Sequence, residues 1–151
     1  MAIKINEYEE KVFTPLTNGW YECFVSAVDK TEFDPAKGAN KSSINYKVRD
    51  DIHPEFAGAE IRYDYISDAD NMAWKVNALS KAIGIPVGTE FDSLDEFLSF
   101  IKMKPLKVNV KMEASTKDPE KIFARATSLK PTEAFDFVPP VADEDDEDLP
   151  F

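Results

Sequence analysis

Lysine, arginine and aromatic residues recur where one face of an extended chain would carry them: Lys47 with Arg49, Arg62, Lys107 with Lys111, and Phe123 with Arg125. Residues two or four apart in a strand share a face, so each pair projects together. Trp20 and Phe24 share a face in the same way, and Lys37 and Lys41 stand in a turn-rich stretch. Spaced cations neutralise a polyanion, and rings among them stack on planar groups; together that is the chemistry of holding a single-stranded nucleic acid. Taken singly, each base suits a solvated face and each ring suits a core. The collective pattern carries the inference.

These residues need strands to align them, and the pattern supplies five. The first begins at Gly19 and runs to about Phe33, with Cys23, Val25 and Ala27 on one face and Trp20, Glu22 and Phe24 on the other. The loop 34–41 holds Pro35 and Gly38. A second strand at about 42–50 alternates Ile44, Tyr46 and Val48 inward with Asn45, Lys47 and Arg49 outward. The third, about 59–66, places Ile61, Tyr63 and Tyr65 in the interior opposite Glu60, Arg62 and Asp64. The period then changes. Met72, Val76, Leu79 and Ile83 form one helical stripe, with Ser67 and Asp70 as a capping box and Gly84 as the stop. Trp74 reads as a packing residue of that helix. A second short helix carries Leu94, Phe97, Leu98 and Ile101, capped by Ser93 and Glu96. A fourth strand alternates Leu106, Val108, Val110 and Met112 with Lys107, Asn109, Lys111 and Glu113. A fifth spans Lys121 to Leu129.

Three strands, a helical insert and two further strands is the order of an OB-fold, a five-stranded Greek-key barrel that commonly binds oligonucleotides. The expected fold is therefore mainly β, with residues 1–130 as the single-stranded DNA-binding domain. Ile3, Ile5, Tyr8 and Phe13 would anchor an irregular lead-in. Lys30 and the pair Lys117 and Lys121 sit in or beside the two loops that flank an OB binding face.

Charge divides the chain at Pro131. Of the 29 acids, eight lie in residues 131–151 together with none of the 18 bases, so the net charge of −11 shrinks to −3 over residues 1–130. The objection that an acidic protein repels nucleic acid thus falls mainly on the last segment. That segment, Pro-rich and then acidic, is expected to be disordered throughout 131–151. Solubility alone gives no use for the apolar end Leu149, Pro150 and Phe151. A ring beside a terminal carboxylate, preceded by acids, suits an apolar pocket with a basic rim.

Asp145 to Phe151 are the candidate partner-binding residues, and among them Asp146, Glu147, Asp148, Leu149, Pro150 and Phe151 resemble the acidic tip of bacterial single-stranded DNA-binding proteins. Over most of residues 15–130 the chain also resembles a family of small phage-encoded proteins found with replication and recombination functions. That likeness rests on Gly19-Trp20-Tyr21-Glu22, the stretch from Ser43 to Arg49, the stretch from Trp74 to Ile85 running into Pro86, and Phe123-Ala124-Arg125. It implies an OB-type fold, single-stranded DNA binding with little sequence preference, and work in the cytoplasm of an infected bacterial cell. The tip would recruit a polymerase, helicase, primase or recombinase. The short tail, with no long linker before it, points to a monomer or homodimer rather than a tetramer.

Other classes find less support. The single Cys23 can form no internal disulfide and has no Cys partner for a zinc site, which suits a reducing cytoplasm. His53, between acids, is weak as a metal ligand. No stretch approaches the roughly 20 apolar residues of a membrane helix, and no phosphate loop or catalytic set is present, so neither a cofactor nor an enzyme is expected. The competing class is an acidic adaptor or a DNA-mimicking inhibitor.

Overall fold

Alternation in the sequence becomes one antiparallel sheet in the computed structural model, which describes residues 15–56 and 58–138. The strands are β1 (Gly19–Val28), β2 (Glu32–Asp34), β3 (Ala39–Val48), β4 (Glu60–Ser67), β5 (Pro105–Ala114) and β6 (Ile122–Lys130), with helices α1 (Ala73–Ile83) and α2 (Leu94–Ile101) between β4 and β5. The lead-in anchors Ile3, Ile5, Tyr8 and Phe13 and the tip 145–151 lie outside the described residues.

The path of hydrogen-bonded neighbours is β2-β3-β1-β5-β6, and β4 pairs with β3. Ile44 to Val48 of β3 pair with β1, while Ala39 to Lys41 pair with β2. The expected first strand is therefore two pieces, broken at residues 29–31. The break is built from polar bonds: the Asp29 N–H donates to the Ser43 carbonyl, and Ser42 Oγ donates to the Asp29 carbonyl at 2.7 Å. The second strand starts three residues earlier than its alternation indicates, because the hairpin with β2 reaches Ala39.

Each neighbouring pair is antiparallel, so β4 and β6, the outer members of the series β4-β3-β1-β5-β6, run in the same direction. They approach one another with α1 against both. No ladder joins them among the described residues. The sheet is open in its hydrogen bonding, and the closed five-stranded barrel is not formed by these contacts.

The inward faces are those the alternation marks, except on β4. Tyr21, Cys23 and Val25, then Ile44, Tyr46 and Val48, then Leu106, Val108 and Val110 pack against Leu79 of α1 and against Leu94, Phe97, Leu98 and Ile101 of α2. Burying each large aliphatic side chain contributes about 1.5–3 kcal/mol. Burial also pushes the Cys23 thiol well above its usual range, which makes it unreactive.

Helix ends follow local chemistry. Ser93 Oγ accepts the Glu96 N–H at 3.1 Å, as expected. Glu96 Oε2 reaches back to the Asp92 N–H, one residue beyond the usual box partner. Gly84 ends α1 with φ of 93°, a left-handed backbone that Gly adopts without strain. The expected box of Ser67 with Asp70 does not form. Ser67 Oγ instead accepts from the Ala69 N–H, and a 3-10 turn at Asp70–Met72 leads into α1.

Residues 131–138, expected to be disordered with the rest of the tail, form a strap across the outer face of β1. Thr132 is buried, and its hydroxyl donates to Glu22 Oε1 at 2.5 Å. The Glu133 N–H donates to Glu22 Oε2 at 3.0 Å, and Arg49 Nη1 donates to the Ala134 carbonyl at 2.7 Å. Paired in this way, the buried Glu22 and Arg49 are tolerated. The folded unit thus extends past residue 130. Among the described residues no helix is long and apolar enough to cross a membrane.

Candidate nucleic-acid interface

The strap divides the expected site residues into a covered group and an open one. Arg49, expected on the outward face, has 1% of its surface exposed. Its guanidinium pairs with Asp51 at 2.7 Å and lies 4.8 Å from the ring centroid of Phe137. Phe24, expected to be a stacking ring, is buried against Phe137 at 5.1 Å between centroids. Lys107 pairs with Glu133 at 3.2 Å. Trp20 is half-buried, with Lys130 Nζ 4.5 Å and Lys107 Nζ 6.0 Å from its ring. The face of β1 that reads as a ligand surface is occupied by the chain itself. Its carboxylate, Glu22, would also repel a phosphate placed there.

The open group surrounds the seam between β4 and β6. Arg62, Tyr63 and Tyr65 from β4, Met72 from the 3-10 turn, Trp74 and Lys75 from the start of α1, and Phe123 and Arg125 from β6 line one cleft of about 390 Å³. Tyr63 is 73% exposed, Trp74 60% and Phe123 47%. Arg62, Phe123 and Arg125 were expected contacts; Trp74, Tyr63 and Tyr65 were expected in the core and are not. Lys111 is exposed and pairs in register with Arg125 on the neighbouring strand.

One irregularity in β4 causes the reversal of the tyrosines. Tyr46 pairs with Ile61 and Ile44 with Asp64, so Asn45 alone stands opposite both Arg62 and Tyr63. This is a β-bulge, with Tyr63 at φ of 61°. Asn45 Oδ1 accepts the Tyr63 N–H at 3.0 Å, a group that the ladder leaves unpaired. Beyond the bulge the phase inverts. Asp64 turns inward, where it accepts from the Tyr46 hydroxyl at 2.6 Å and from Lys75 Nζ at 2.6 Å. Tyr46 itself stays in the core as expected; burial, and then the Asp64 charge, raise its phenol well above the usual range.

Tyr65 continues the surface toward the β2–β3 hairpin. Lys37 Nζ lies 3.4 Å from the Tyr65 hydroxyl and 5.0 Å from its ring centroid. Lys41 lines the adjoining hollow with Lys30, Ser43 and Tyr65. Lys47 is half-buried on the outer face, in register with Glu60.

Both arginines of the cleft already have carboxylate partners. Arg62 meets Glu60 at 3.2 Å and Arg125 meets Glu113 at 3.0 Å. The Glu60 charge raises the Arg62 pKa above its usual value. Surface pairs of this kind contribute little to stability, so the arginines are held only weakly. His53 serves the fold: its Nε2 accepts the Glu22 N–H at 3.1 Å and its ring packs against Tyr21. Among the described residues no cluster of three His, Cys, Asp or Glu could hold a metal.

Set against known families, residues 1–140 match the one described as "Protein of unknown function (DUF669)". The chain belongs to that family. The match runs past the strap, so the family's extent agrees with a folded unit that includes residues 131–138. No curated protein matches the sequence.

Proposed function

We propose that the protein binds single-stranded DNA, with little sequence preference, in the cleft between β4, α1 and β6. One observation carries the reading: Tyr63, Tyr65, Trp74 and Phe123 expose their rings along one cleft beside Arg62 and Arg125. Exposed rings are costly to leave in water and are rarely grouped without a ligand. Every base has a face that stacks on them, at about 1–3 kcal/mol each, and the arginines exchange Glu60 and Glu113 for phosphates.

The strand order supports an OB-type reading of the open sheet, with β4 and β6 as the strands that would close the barrel. The hairpin carrying Lys37 and Lys41 then flanks the binding face. The tip from Asp145 to Phe151 would recruit replication or recombination proteins, on the strength of its resemblance to bacterial single-stranded DNA-binding proteins.

The two tryptophans make the test direct. Trp74 lines the cleft and Trp20 lies beside the strap. In a Trp20→Phe variant, oligo-dT is expected to quench the remaining fluorescence, less so as salt rises, while duplex DNA does not. In a Trp74→Phe variant the signal should barely change. Quenching of Trp20 alone would place the ligand on the other face, and no quenching of either would remove the proposal.

A further inference from the structure

We infer that Tyr63 is a one-residue insertion in β4 kept for ligand contact, setting a phosphate-binding cation and a base-stacking ring side by side for a single nucleotide. This rests on the reading of the cleft above and identifies the step in the fold that creates it.

Ile61 and Ile66 both point into the core, yet they are five residues apart. A regular strand puts residues at odd separations on opposite faces, so one extra residue must lie between them. Remove Tyr63 and the alternation is restored: Ile61 in, Arg62 out, Asp64 in, Tyr65 out, Ile66 in. The pairings of Tyr46 with Ile61 and of Ile44 with Asp64 then follow without a gap. The pairings on either side of the bulge are continuous without the extra residue.

Keeping it is unfavourable. A bulky aromatic side chain at φ of 61° is strained, and the side chain recovers little by burial because it is 73% exposed. What the insertion provides is adjacency. Consecutive residues of a regular strand face opposite ways, but across this bulge Arg62 and Tyr63 both face the cleft. A nucleotide presents an anion and a ring in the same immediate succession. Asn45 holds the arrangement by accepting the Tyr63 N–H.

The experiment compares the full chain with a variant lacking Tyr63 and with Tyr63→Gly, which keeps the bulge but removes the ring and the strain. Both variants are expected to melt about 2–4 °C higher and to bind oligo-dT about tenfold more weakly. Tyr63→Phe should bind as the parent does. A lower melting temperature in both variants would show that the sheet requires the residue, and unchanged affinity would show that the ligand does not; either result overturns the inference. If the deletion fails to fold, Tyr63→Gly still decides. Failure of the parent protein to bind oligo-dT is a separate result, which removes the reading of the cleft itself.

Discussion

The Arg49 guanidinium lies 4.8 Å from the ring centroid of Phe137, bringing a residue at the end of β3 against one near the end of the described chain. Around that contact Arg49 also holds Asp51 and the Ala134 carbonyl, and Phe137 covers Phe24. Charge, ring and carbonyl together make the strap part of the folded unit. Arg49→Met is expected to lower unfolding free energy by about 2–3 kcal/mol in urea titrations, because the substitution removes charge-assisted hydrogen bonds from a buried position. Chymotryptic cleavage after Phe137 should quicken, and oligo-dT affinity should change less than twofold. A large loss of affinity with unchanged stability would return Arg49 to the ligand surface.

The same cluster gives a pH dependence. The Arg49 hydrogen bond holds the Asp51 carboxyl below its usual value of 3.8. A depressed carboxylate contributes stability that is complete above its unfolded pKa and is lost as pH falls through the folded one. Asp51→Asn should therefore destabilise the protein at pH 7, by about 1 kcal/mol or less because Asp51 is half exposed. The difference from the parent should fade only below about pH 4. A gap that stays constant from pH 7 to pH 2.5 would mean that the charge is not what matters.

Replacing Trp74 separates stacking from folding. Its ring is 60% exposed on α1, so Trp74→Ala should leave the melting temperature within about 2 °C. The same change should weaken oligo-dT binding about tenfold or more. Equal binding by both proteins would exclude the ring as a platform.

Arg125 reports on phosphate instead. Arg125→Gln should reduce the slope of log affinity against log salt by about 0.7, the increment for one contact to a single strand. An unchanged slope with weaker binding would show that Arg125 acts other than by neutralising a phosphate.

Beneath the cleft, Lys75 and Asp64 are a buried pair, each at about one-tenth side-chain exposure. Lys75→Met leaves the Asp64 charge supported by Tyr46 alone and should cost about 3 kcal/mol. Adding Asp64→Leu should recover part of that loss. If the double variant is as unstable as the sum of the single ones, the pair is not coupled.

Most of the sheet was legible because period-two alternation is a direct image of burial. Ile44, Tyr46 and Val48 on β3, and Leu106, Val108 and Val110 on β5, all point inward as their spacing requires. The site was less legible, for two physical reasons. Bulges conceal themselves in any reading that assumes regular phase, and the odd separation of Ile61 and Ile66 reveals one only because both are buried. Trp74 had a signal too: at 100° per residue it stands 200° from Val76, on the far side of the helix from the apolar stripe. The strap could not be read at all. Thr132, Ala134 and Phe137 dock on Glu22, Arg49 and Phe24 through contacts that no local pattern encodes.

The hydrogen bond from Thr132 to Glu22 spans 110 residues of sequence, and this sets an order on how the chain is completed. During synthesis Glu22 and Phe24 of β1, and then Arg49 after β3, emerge uncovered and stay so until Val138 has cleared the ribosome. Contacts that close so long a loop form late and slow the search. A nascent or truncated chain lacking the strap shows a bare aromatic sheet face with an unpaired carboxylate. Exposed apolar surface of that kind is what makes incompletely folded chains prone to aggregate.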